Sequence, residues 1–117
     1  MINEETMGNI KCSDDVLAIC AMNAALRTTG VADLSAGLTE TISKNLLGKP
    51  ALYKGIKVSQ DEKEVQIDIH LIVRMGVKIP EVAWNVQENV KKEIETIAGT
   101  KVKAVNIFVQ GVSSEEV

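Results

Sequence analysis

From Val65 to Met75 the chain places an apolar residue at every second position: Val65, Ile67, Ile69, Leu71, Val73 and Met75. Side chains of a β-strand alternate between its two faces, so this run predicts a strand with one buried face. The pairing register is constrained too, because a one-residue slip would turn every one of those side chains into water. The opposite face reads Gln66, Asp68, His70, Ile72 and Arg74, polar except for Ile72. Any fold open to this chain must bring a second layer onto the apolar face.

The next segment supplies that layer. Gly76 can relax the chain after the strand, and Pro80 suits the first turn of a helix, where its missing N–H would have no partner. Glu81 puts a negative charge near the positive end of the helix dipole. Val82, Val86, Val90, Ile94 and Ile97 then form one helical stripe, closed by Gly99. Trp84 lies off that stripe, among Gln87, Glu88, Lys91 and Glu95. Three readings are open for it: a ring folded over the first turn and half covered by a loop, an anchor for a partner protein together with Gln87, Glu88 and Lys91, or a platform for a nucleic-acid base.

Earlier in the chain, Gly8–Cys12 is a short strand candidate. Ser13 is placed as an N-cap, with Asp14 and Asp15 in the first turn of a helix running to about Thr28. That helix is apolar around most of its circumference, which predicts burial on most sides, within the monomer or against another subunit. Asn23 and Arg27, four apart, interrupt this surface and are candidates for the edge of an oligomer contact. Residues 31–37 read as a loop, and Leu38, Ile42 and Leu46 predict a short helix over 38–47. A strand is expected around Lys54–Gln60, hairpinned to the 64–75 strand, and a last strand over Val102–Val109. Its Phe108 joins Ile72 on the outer sheet face as a second candidate oligomer surface. Gly111–Val117 reads as an acidic tail. The resulting order is β-α-(α)-β-β-α-β, an α+β two-layer sandwich with a small mixed sheet and two main helices on one face. All of residues 1–117 read as a single domain, with an ordered core over about 8–112.

Composition excludes several functions. A net charge of −3 and a pI near 5.2 give no electrostatic footprint for nucleic acid or an anionic membrane. No apolar run approaches the ~18 residues of a membrane span, and the polar N-terminus does not read as a secretory signal, so a cytoplasmic location is expected. Cys12 and Cys20 lack the further ligands of a metal site and read as small apolar groups. Gly48-Lys49-Pro50 lacks the rest of a phosphate-binding loop. His70 and Asp68 share a strand face and could suggest an acid–base pair, but an exposed cross-face salt bridge is the better account of them and no nucleophile accompanies them. No catalytic residue, metal or cofactor is assigned.

With the segments in place, GNIKCSDDVLAICAMNAAL, GVADLS, KGIKV and GVKIPEVAWNVQENVKKEIETIAGTKVKAVNIFVQGV resemble the bacterial alkaline-shock-protein family, also called the general-stress or envelope stress response family. The resemblance covers about Gly8 to Val112. It implies a small protein without established catalytic activity, self-assembly, and for some members a place beneath the membrane through a membrane-embedded partner. It carries over no catalytic residues. Cys12 and Cys20 depart from the ordinary apolar residues expected at their positions.

Overall fold

The computed structural model describes residues 12–35, 52–53, 55–61 and 64–114. Its elements are α1 (Asp14–Arg27), β1 (Val31–Leu34), β2 (Leu52–Tyr53), β3 (Ile56–Gln60), β4 (Glu64–Arg74), α2 (Ile79–Ala98) and β5 (Lys101–Ser113). Residues 8–11 of the first expected strand and the helix expected over 38–47 lie outside the described residues.

β4 organises the sheet. It is 11 residues long and its burial alternates without a break. Val65, Ile67, Ile69 and Leu71 are fully buried, as the period-two pattern requires. β5 pairs in parallel along the whole of one edge of β4. The other edge is shared end to end: antiparallel β3 takes Val65–Ile69, and antiparallel β1 takes Leu71–Val73. The two short strands meet at His70, whose N–H donates to Gly55 O and whose carbonyl accepts from Ser35 N. β2 adds outside β3. The parallel β4–β5 pair is reached through α2, since parallel neighbours need a crossover.

Both helices lie against the apolar face and share one core with it. Ser13 caps α1 by accepting from Val16 N at 3.2 Å. Val82, Val86, Val90 and Ile94 of α2 are buried, and Gly99 closes the helix at φ +68°. This is the expected two-layer α+β sandwich.

Four local expectations are corrected. Residues 31–34 form a strand, not a loop; a register shift between Val31 and Asp33 sets the buried Val31 and Leu34 three residues apart, which destroys the period-two signal. β5 runs on to Ser113 through a second shift, at the Leu71/Ile72 step, where Gln110 falls outside the ladder. Met75 lies beyond β4 and is 67% exposed. Ile97 is exposed, and Ala98, four residues after Ile94, packs on the core in its place.

α1 also departs from burial on most sides. Leu17, Ala18, Ala21, Ala24 and Ala25 are fully buried, while Val16, Ile19 and Leu26 are exposed. Four alanines let the backbone approach its neighbours closely, so the larger side chains are carried on the outside.

Candidate functional site

No described side chains converge on a reaction centre, so the candidate site is a surface. It begins where α2 overlies β5. Gln87 Nε2 donates to Val105 O at 3.0 Å, and Val102 N donates to Glu95 Oε2 at 3.1 Å. These bonds fix α2 antiparallel to β5, with its Trp84–Gln87–Lys91–Glu95 side turned toward the outer edge of that strand. Trp84, one turn beyond Gln87, is 60% exposed. Glu88 and Lys91 are exposed beside it. Of the residues expected to contact a partner, Gln87 is thus partly committed to holding the helix, and Trp84, Glu88 and Lys91 are accessible.

The expected oligomer residues do not form one patch. Asn23 is exposed on α1. Arg27 donates to Glu93 of α2 at 3.0 Å, an ion pair within the chain rather than a contact with Asn23. The pair is largely in solvent and contributes little to stability. Below it, Thr28 is buried; its hydroxyl donates to Ala24 O at 3.0 Å and accepts from Asn89 Nδ2 at 2.9 Å. That relay ties the end of α1 to α2.

Ile72 and Phe108 lie on the opposite face of the sheet. Phe108 stacks on His70 with ring centroids 4.8 Å apart and an interplanar angle of 17°. Asp68 accepts from Asn106 Nδ2 at 2.9 Å. In place of the suggested His70–Asp68 pair, the structure shows two cross-strand contacts between β4 and β5. Burial, with Glu93 and Cys12 nearby, pushes the Cys20 thiol above its ordinary pKa. That favours the protonated thiol over the nucleophilic thiolate. Among the described residues, no group of three or more His, Cys, Asp or Glu is placed to hold a metal ion. Nor is any described helix long and apolar enough to cross a membrane.

Sequence reasoning missed the anchoring of α2 on β5 through Gln87 and Glu95. No spacing in the sequence signals it, because the strand that Gln87 and Glu95 reach is set by the tertiary fold.

Comparison with known proteins places this surface in a family context. The chain is similar to the uncharacterized protein YloU of Bacillus subtilis (strain 168), with 38% identity over 111 residues covering 90% of this chain and 88% of YloU. It is 33% identical over 106 residues to the uncharacterized protein Spy1614 of Streptococcus pyogenes serotype M6, again covering 90% and 88%. Among solved structures, the manganese form of one MamM CTD variant matches at a TM-score of 0.50 and 10% identity, covering 85% of this chain and 99% of that one. A zinc form of another variant gives the same TM-score over 88% and 87%. At that identity the likeness is one of fold. The alkaline shock protein 23 family model, described as having a cell envelope-related function, matches residues 2–114. The chain belongs to that family.

Proposed function

We propose that this protein is a non-catalytic interaction module of cell-envelope homeostasis and the envelope stress response. It acts in the cytoplasm by associating with itself and by docking onto a membrane-associated protein. The observation that carries the docking half is Trp84, 60% exposed on a polar helix face that Gln87 and Glu95 hold rigidly against β5. A large ring standing in water on a fixed scaffold is the kind of residue that dominates interface energy, and Glu88 and Lys91 supply a polar rim. Family membership supports the envelope context.

In-cell crosslinking followed by membrane fractionation tests this, comparing wild type with Trp84→Ala. The expected result is a crosslink to a membrane protein that disappears on substitution while the melting temperature holds. The same crosslink in both proteins would remove Trp84 from the docking site. Recovery of the protein alone in both would remove docking from the function.

A further inference from the structure

On an α-helix the surface neighbours of a residue lie three and four positions away. Around Trp84 these are Pro80 and Glu81 on one side, Gln87 and Glu88 on the other. Gln87 is committed to Val105 O. Glu81 and Glu88 are both exposed, and among the described residues no cation pairs with either. Lys91, seven residues on from Trp84, stands about two turns from the ring. An indole that is 60% exposed is thus set between two carboxylates that nothing neutralises.

Folding does not account for this arrangement. Glu81 lies in the first turn, where the helix dipole favours a negative charge, but Glu88 is in the middle of α2 and gains nothing from it. The helix is already held by the buried Val82, Val86, Val90 and Ile94, and tied to β5 by Gln87 and Glu95. The chemistry that such a site takes is cationic. The face of an indole is the negative part of its quadrupole and attracts a cation more strongly than Tyr or Phe does. Carboxylates on either side attract the same charge. A guanidinium satisfies both at once, because it stacks flat on an aromatic face and directs N–H donors from its edge to carboxylate oxygens.

We infer that Glu81, Trp84 and Glu88 form a receptor for an arginine of a basic segment on the partner protein, the guanidinium lying over the indole between the two carboxylates. Charge selects this occupant, and it agrees with a partner at the membrane, because the cytoplasmic flanks of membrane-spanning proteins are rich in Lys and Arg. The same carboxylates, in a chain of net charge −3, turn away an anionic lipid surface, so the contact is with protein and not with the bilayer. The inference names the partner chemistry of the Trp84 docking site and rests on that reading.

Trp84 is the single tryptophan of the chain and reports on its own site by fluorescence. Hexaarginine added to the full chain is expected to change its emission, and hexaglutamate to leave it unaltered. Glu88→Gln should weaken the hexaarginine response and Glu88→Lys should weaken it about tenfold or more, with the fold intact by circular dichroism. Added salt should weaken it too. A folded Glu88→Lys protein that responds like wild type would overturn the inference. The in-cell crosslink separates this outcome from docking itself. The expected crosslink maps to an arginine-bearing segment of a membrane protein and is lost in both Trp84→Ala and Glu88→Lys. A crosslink lost in Trp84→Ala but kept in Glu88→Lys would overturn the basic segment and leave Trp84 as a docking residue. So would one that maps to a segment without arginine, or to a second copy of the chain. If no crosslink depends on Trp84, both readings fall.

Discussion

Gly55 stands where β1 and β3 meet along β4, and replacing it by alanine gives the sharpest test of that junction. It adopts φ +78°, and an added Cβ would lie 2.6 Å from Ser35 O, 3.0 Å from His70 O and 3.1 Å from Ser35 N. None of these is the end of a flexible side chain. Two of them, Ser35 N and His70 O, form one backbone bond (2.9 Å), and Gly55 itself accepts from His70 N (2.8 Å), so the methyl fits only if this backbone shifts and both bonds weaken. Gly76 is the control, because it sits at φ +91° with nothing within 4 Å of its added Cβ. Gly76→Ala therefore meets only the left-handed backbone penalty, about 1–2 kcal/mol. Gly55→Ala meets the same penalty and weakens two hydrogen bonds at about 0.5–1.5 kcal/mol each, for a total of about 2–5 kcal/mol. For a domain whose whole stability is on the order of 5–15 kcal/mol, that is a large share. Urea denaturation of the two variants and wild type measures the difference, as a shift in midpoint at unchanged slope. Equal losses for the two substitutions, within about 0.5 kcal/mol, would refute the abutting of β1 and β3 at His70.

Two further outcomes follow from packing and charge. Ile94→Ala, at a fully buried position under α2, is expected to destabilise by about 2–5 kcal/mol in the same assay, against little change for Ile97→Ala at its exposed neighbour. Cys20 is expected to alkylate slowly at neutral pH, with a rate that climbs only as pH rises past the ordinary thiol range, because its raised pKa keeps the proton on sulfur. Peptide mapping after timed labelling reads that rate, and fast labelling at pH 7 would contradict it.

The helix after β4 shows how far periodicity reaches. Val82, Val86, Val90 and Ile94 were legible because each lies four residues from the next, and all four are buried. Ile97 broke the rule because an i+3 step at the end of a helix swings the side chain off the i+4 row, which Ala98 continues. The candidate site was legible in part. An aromatic on a polar face named Trp84, but nothing in the spacing could show that Gln87 would be drawn to Val105 or Arg27 to Glu93. Those bonds join residues 18 and 66 positions apart in the chain.

Hydrophobic alternation from Val65 to Val73, with an amphipathic helix after it, was sufficient to determine the two-layer arrangement, because a strand with one apolar face and a helix with one apolar stripe must bury them together. Tertiary structure alone decided the edges. The register shifts in β1 and β5 insert residues that erase the period-two signal, so one strand reads as a loop and another reads as ending at Val109, short of Ser113. Which backbone groups of β5 face outward depends on which edge of β4 is already occupied by β1 and β3. That is a fact about pairing between distant segments, and no local pattern of residues encodes it.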